Sequence, residues 1–346
     1  MLVFAPLAAA FFWWRSQDSL VPWLAHRTDT PLIWYLIPCW ILSLTTIGFW
    51  IKRRWFSPPI DAILFSHSTR IDVAGQLGRP LLHGFLSRLL YRVPGNQVLQ
   101  ISIDEFELAL PRLPAQLDGF SIAQLTDLHF TGHVGIECFQ EAVRQTNALQ
   151  PDLIVITGDI ADEIELFDWI PQSLAKLSAP LGVFFILGNH DLFTGQAPRM
   201  RQMLTEVGFT DLGSRWQRLE HAGAEIIIAG TELPWFRPGP DLGDCPPRTS
   251  DHPQFRLLLS HTPDLVGWAR ATDFDLMLAG HAHGGQICFP LIGPIVCPSS
   301  SGVTLASGTF RFGSTILHVS RGLSSELPLR INCPPELTKI TLRRPA

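Results

Sequence analysis

A chain of 346 residues with 46% hydrophobic and 16% charged side chains can build one large core plus an appendage, since single domains stop growing at about 250 to 300 residues. Its formal net charge of −5 excludes recruitment of nucleic acid by general electrostatics. The six cysteines include no Cys-x-x-Cys pair and no dense spacing, so reduced thiols are expected, with a disulfide among Cys288, Cys297 and Cys333 left open.

Met1 to Trp14 is apolar, but at ~21 Å of helix it is short for spanning a bilayer and lacks the basic start of a signal peptide. A short span, an interfacial segment and a core segment all stay open. Residues 31–51 carry no charged side chain and are long enough to cross a hydrocarbon layer of ~30 Å, so a transmembrane helix is expected, with Pro38 tolerated as it is in membrane helices. Lys52-Arg53-Arg54, with Trp50 and Trp55 around it, is the basic and aromatic border of a cytoplasmic interface. The rest of the chain is therefore expected on the cytoplasmic side of the inner membrane. From Pro80 to Val93, the side chains of Leu81, Leu82, Phe85, Leu86, Leu89 and Leu90 fall on one broad helical face bordered by Arg79, Arg88 and Arg92. Such a face lies in the headgroup layer or packs on the following domain, and Pro94-Gly95-Asn96 ends it. The expected organisation is an anchor over 1–56 with its main span at 31–51, a linker with an amphipathic helix over 57–97, and a globular domain over 98–346.

Within that domain, Val98 to Leu110, Phe120 to Leu125, Leu153 to Thr157, Leu181 to Leu187, Glu225 to Ala229, Phe255 to Ser260 and Leu276 to Ala279 read as strands. Gly135 to Leu149, Leu166 to Leu177 and Pro198 to Val207 read as helices between them. This alternation predicts an α/β sheet. Most of the strands run straight into a polar motif, and loops at strand ends are where such sheets gather sites.

Five motifs follow in order: Asp127-Leu128-His129, Gly158-Asp159, Gly188-Asn189-His190-Asp191, His261, and Gly280-His281-Ala282-His283-Gly284-Gly285-Gln286. Their carboxylates, amide and imidazoles are enough for two metal ions. An isolated Asp-x-His or Gly-Asp is structural roughly nine times in ten, but the five together leave little room for chance. In this pattern the chain resembles the calcineurin-like metallophosphoesterases over about residues 98 to 342. Ser320-Arg321-Gly322-Leu323 and Pro328-Leu329-Arg330-Ile331 look like the bacterial membrane-associated branch, whose last metal motif continues into Gly-Gly-Gln.

The resemblance implies an αββα two-sheet sandwich and a dinuclear centre of Mn²⁺, Fe²⁺ or Zn²⁺, with Mn²⁺ favoured. Asp127, His129 and His283 would hold the first ion, Asn189, His261 and His281 the second, and Asp159 would bridge. His190 would face the substrate, oriented by Asp162, while Asp191 supports a turn. Two ions ~3.5 to 4 Å apart lower the pKa of water and clamp phosphoryl oxygens, so hydrolysis of a phosphodiester or pyrophosphate is the expected activity. Some similar enzymes cleave UDP-2,3-diacylglucosamine, which makes a lipid-linked substrate attractive. The alternatives are a general phosphodiesterase or phosphatase on small esters, and a metal-binding scaffold without catalysis. His67, His83, His133, His221, His252 and His318 carry no such pattern, although His133 lies near enough to the first motif for substrate contact. Arg321 and Arg330 could meet phosphate or carboxylate, with salt bridges the favoured expectation.

Overall fold

The run Leu153–Thr157 has no polar alternation because neither of its faces meets water. In the computed structural model Leu153 and Val155 point into one core while Ile154 and Ile156 point into another. The structure describes residues 61–78, 81–249, 253–290 and 292–345, together with 37–41, 43–45 and 48. The chain divides into two compact units, Met1–Pro59 and Ile60–Ala346.

The larger unit is built on two sheets. In chain order the strands are β1 (Ile63–Asp72), β2 (Gln100–Ala109), β3 (Ser121–Leu125), β4 (Leu153–Thr157), β5 (Val183–Ile186), β6 (Thr210–Asp211), β7 (Arg215–His221), β8 (Ala224–Thr231), β9 (Gln254–Ser260), β10 (Leu276–Ala279), β11 (Cys288–Phe289), β12 (Gly293–Pro294), β13 (Gly308–Phe312), β14 (Thr315–Val319) and β15 (Glu336–Arg343). The first sheet has the order β1-β2-β15-β3-β4-β5-β6, the second β13-β14-β10-β9-β8-β7, and β11 pairs with β12 as a separate hairpin.

Ile122, Phe184 and Ile186 of the first sheet meet Ile228, Leu257 and Leu278 of the second in the inter-sheet core. Helices Ile136–Ala148, Trp169–Ser173 and Ala197–Glu206 cover the outer face of the first sheet through Phe139, Val143, Ile170, Met200 and Leu204. Helix Val266–Ala271 contributes Ala269 to the outer face of the second. The result is the four-layer αββα arrangement. Parallel pairing runs through β3-β4-β5-β6 and through β14-β10-β9-β8. The C-terminal ends of those strands therefore collect the loops that carry the motifs.

The stretch 57–97 differs from the expected linker. Ile63–Asp72 pairs antiparallel with β2 as an edge of the first sheet, because its backbone completes the ladder even though most of its side chains stay exposed. The helix that follows is shorter than Pro80 to Val93, covering Phe85–Tyr91. Its orientation also departs from a single apolar face: Leu81 and Leu82 precede it and enter the core, Ser87 is buried, and Phe85, Leu86 and Leu89 are exposed. The cause is a polar anchor, since Ser87 Oγ lies 3.0 Å from Nδ1 of His133.

In the smaller unit, residues 37–41, 43–45 and 48 are helical. The hydroxyl of Ser43 donates to the Cys39 carbonyl at 2.7 Å, the back-bond such side chains make inside helices. The remainder of the expected span at 31–51, the Met1 to Trp14 segment and Lys52-Arg53-Arg54 lie outside the described residues. Among the described residues no helix is long and apolar enough to cross a membrane.

Candidate metal centre

Each candidate ligand sits just beyond a strand. Asp127 and His129 follow β3, Asp159 follows β4, Asn189 follows β5, His261 follows β9, and His281 and His283 follow β10. Five of these side chains need a backbone that L-residues seldom adopt: φ is 51° at Asp127, 45° at His129, 53° at Asp159, 67° at His281 and 50° at His283. Left-handed conformation costs about 1 to 3 kcal/mol per residue and persists where the surrounding structure enforces it, most often at functional sites. The neighbouring glycines make the close approach feasible. A Cβ on Gly188 would collide with the Asp159 carboxylate, and one on Gly280 with that of Asp127.

The side chains gather as two groups that share Asp159. Donor atoms of Asp127, His129, Asp159 and His283 all lie within 4.8 Å of one another, as do those of Asp159, His261 and His281. Asp159 Oδ2 lies 2.9 Å from Nε2 of His261 and 3.7 Å from Nε2 of His129, one imidazole from each group. Its Oδ1 accepts from the His190 amide at 2.9 Å. A third group, His129, Asp162 and His190, is held together differently: the Asp162 carboxylate receives Nδ1 of His129 at 2.9 Å and Nδ1 of His190 at 2.6 Å.

Hydrogen bonds fix which ring nitrogens face the cluster. Nδ1 of His261 is 2.8 Å from the Thr157 carbonyl, which only accepts, so Nδ1 carries a proton and Nε2 is the atom left for a cation. Nε2 faces a carboxylate oxygen, and both atoms are buried without a hydrogen-bond partner. The same reasoning applies to His129, whose Nδ1 is committed to Asp162, and to His283, whose Nδ1 is 3.2 Å from the Ser324 carbonyl. Nη2 of Arg330 lies 3.3 Å from that Nδ1 and also donates to the same carbonyl. The two Nε2 atoms of His129 and His283 face each other 3.1 Å apart. Asn189 Oδ1 is likewise buried and unpartnered. The donor set of imidazole, carboxylate and amide oxygen fits divalent metal ions.

Electrostatics divide the four imidazoles: burial opposes charge on His129 and His261, but the Asp162 and Asp159 carboxylates raise both pKa values, that of His261 to about 9. Burial and the neighbouring His261 hold the pKa of His281 down to about 4. Burial, His129 and Arg330 hold that of His283 well below the usual imidazole value. Both are therefore in the neutral form that binds metal. Asp127 is pushed up by burial and by the charge of Asp159. Burial opposes ionisation of Asp159 too, but His261 and His129 outweigh it and bring its pKa down. Two buried carboxylates in one cavity repel each other, and divalent cations remove that conflict.

His190 stands apart from the ligand pattern. Burial disfavours its charge, yet the hydrogen bond to Asp162 and the charges of Asp159 and Asp162 raise its pKa to about 9. Asp191 accepts from the amides of Ile160, Ala161 and Gly188 at 2.7, 3.1 and 2.8 Å, tying two motif loops together. Arg321 meets Asp104 at 2.7 Å and Glu336 at 3.2 Å. Arg330 departs from the expected salt bridge: wholly buried, it donates to the carbonyls of His283, Arg321 and Ser324. Cys288, Cys297 and Cys333 are free thiols.

Three residues at the site carry no motif. The Trp235 ring packs edge-on to His261 and His281, with centroids 5.4 and 5.0 Å away. Phe193 lies 5.7 Å from His190, and the Glu326 carboxylate is 3.1 Å from Nε2 of His190. Position was the available signal: Trp235 lies just past the end of β8, and Phe193 is three residues beyond His190 on the short helix Asn189–Phe193.

Residues 120–285 match the family described as calcineurin-like phosphoesterase. The uncharacterized metallophosphoesterase YkuE of Bacillus subtilis is 36% identical over 250 residues, covering 70% of this chain and 86% of that protein. The phosphodiesterase YaeI of Escherichia coli is 32% identical, covering 68% of this chain and 88% of its own length. The UDP-2,3-diacylglucosamine pyrophosphatase LpxG of Chlamydia trachomatis is 28% identical, covering 66% and 85%. With relatives matched across most of their length and a buried Asp/His cluster able to bind metal, the chain belongs to the calcineurin-like phosphoesterase family and is a metal-dependent hydrolase of phosphoester bonds.

Proposed function

We propose that the chain is a membrane-tethered dinuclear phosphoesterase acting on an amphiphilic phosphodiester or pyrophosphate, with Asp127, His129 and His283 holding one ion, Asn189, His261 and His281 the other, and Asp159 between them. The observation that supports the dinuclear assignment is the position of Asp159 Oδ2 between the two groups, 2.9 Å from His261 Nε2 and 3.7 Å from His129 Nε2. When bound, two divalent ions supply water activation and neutralise charge on the phosphoryl oxygens. The preference among Mn²⁺, Fe²⁺ and Zn²⁺ goes to Mn²⁺, on the resemblance to the membrane-associated branch.

The residues of the chain do the rest. With Nδ1 held by Asp162, the protonated His190 directs Nε2 outward, where it can stabilise a phosphoryl oxygen or give its proton to the leaving oxygen. Asp162 keeps that ring charged and oriented. Trp235 flanks the second group and limits water around His261 and His281.

A tether at 31–51 and a cytoplasmic catalytic unit rest on the uncharged stretch and on Lys52-Arg53-Arg54. A lipid-linked substrate of the UDP-2,3-diacylglucosamine type is favoured by the likeness to LpxG and by exposed Phe85, Leu86 and Leu89. The test is comparative: Phe85→Ser with Leu89→Ser should slow turnover of a diacylated nucleotide sugar far more than that of a small aryl phosphodiester. Equal losses would reject acyl contact and favour a general phosphodiesterase. Protease added to intact spheroplasts should spare the catalytic unit, and its digestion from outside would reject the cytoplasmic orientation.

A further inference from the structure

The site is bordered by large apolar side chains that no core uses. Phe193, packed on His190, is 70% exposed and Val296 is 75% exposed. Phe289, Ile292, Ile295 and Leu327 are each close to half exposed. Their connections to the site are short. Two residues after His283, a Cβ on Gly285 would strike Pro294 and the carbonyl of Val296, so the β11-β12 hairpin lies directly against the ligand loop. The ring of His281 hydrogen-bonds to the carbonyl of Pro298 just beyond it. Leu327 follows Glu326, which touches His190. The amide of Asn96 donates to the carbonyls of Leu90 and Pro328, at 3.0 and 2.9 Å, joining the end of helix Phe85–Tyr91 to the Leu327 loop.

Charge is sorted in the same segments. Acidic side chains outnumber basic ones in the chain, 31 to 26, yet no Asp or Glu occurs between Asp72 and Asp104, a stretch that holds Arg79, Arg88 and Arg92. Between His283 and Arg311 there is no charged residue at all. Outward apolar side chains mixed with arginines, with no carboxylate in the helix or the hairpin and Glu326 beside Leu327 turned to His190, suit an anionic headgroup layer, whereas a protein surface would ordinarily offer polar partners to a rim. Eleven residues separate the uncharged stretch 31–51 from Ile63. At ~3.3 to 3.6 Å per residue they can reach at most about 40 Å, short enough to keep such a face at a bilayer.

Resting on the tethered phosphoesterase reading, we infer that the mouth of the metal site docks on the lipid surface through helix Phe85–Tyr91 and the 287–298 hairpin, so that an amphiphilic phosphoester enters from the plane of the membrane. The occupant is an anionic bilayer.

The full chain in nanodiscs that contain phosphatidylglycerol with a diazirine in its acyl chain tests this directly. Irradiation should leave lipid adducts on peptides covering 85–93 and 287–298, and Phe289→Asp with Val296→Asp should abolish those on the second peptide. Adducts confined to residues 1–59 would overturn the docking face. So would a chain that is dimeric in the nanodisc, carries no lipid adduct on the hairpin and becomes monomeric in Phe289→Asp with Val296→Asp, which would mark a second copy as its occupant. Metal-dependent turnover of an aryl phosphodiester by the same wild-type preparation separates the two claims. Turnover without hairpin adducts sinks the docking face alone, while adducts without turnover on any phosphoester sink the hydrolytic reading and leave the docking face standing.

Discussion

The exposed carboxylate of Glu326 lies 3.1 Å from Nε2 of His190, the ring nitrogen that Asp162 leaves free. A phosphoryl oxygen or leaving oxygen would have to reach the same atom, so the Glu326 carboxylate occupies the position of a substrate anion and must give way to it. Glu326→Ala should therefore lower KM for an anionic phosphodiester with little change in kcat. Removing one exposed like charge is worth about 1 kcal/mol or less, or at most roughly fivefold. A fall in kcat/KM would instead make Glu326 a contributor to the reaction.

His190 and Asp162 should separate on two measurements. His190→Ala removes a substrate-facing acid and should cost about 10² to 10⁴-fold in kcat while metal content stays at the wild-type level. Asp162 also holds His129, at 2.9 Å, so Asp162→Ala should lower both kcat and metal content, as loss of a ligand's orienting partner does. Metal loss in His190→Ala would make that histidine a ligand.

Acid stability should depend on Glu336. Burial raises its pKa, but the charge of Arg321, the His318 ring 3.5 Å away and the hydrogen bond from Thr338 outweigh it and bring the value from 4.5 down to about 2. A carboxyl depressed in the folded state stabilises fully above its unfolded pKa, and that stability is lost as pH falls from 4.5 through about 2. For a shift of this size the contribution is on the order of 3 kcal/mol. Thermal melts of Glu336→Gln should show a lower Tm than wild type at neutral pH and a shallower decline across that acidic window. An unchanged slope would remove Glu336 from the account.

Much of the site was legible because strands and motifs coincide. Leu153–Thr157 and Leu276–Ala279 read correctly as strands, since burial on both faces demands an unbroken apolar run. The helix at Ile136–Ala148 shows its period clearly. Three kinds of feature were hidden. Strand β15 enters the first sheet between β2 and β3, a pairing across more than two hundred residues that no local window contains. The left-handed backbone at Asp127 or His281 is imposed by tertiary packing and leaves no trace in side-chain type. At Phe85–Tyr91 the amphipathic period reveals two unlike faces but not which one points inward. The contact of Ser87 with His133 turns the apolar side outward.

The dinuclear assignment is tested most directly by counting metal ions per chain, by mass spectrometry, in the wild type and in Asp159→Ala. Asp159 Oδ2 stands 2.9 Å from His261 and 3.7 Å from His129, between the two ligand groups. The account predicts two ions per chain in the wild type, one or none in the variant, and a loss of turnover by orders of magnitude. Two ions retained at full occupancy in Asp159→Ala would contradict it.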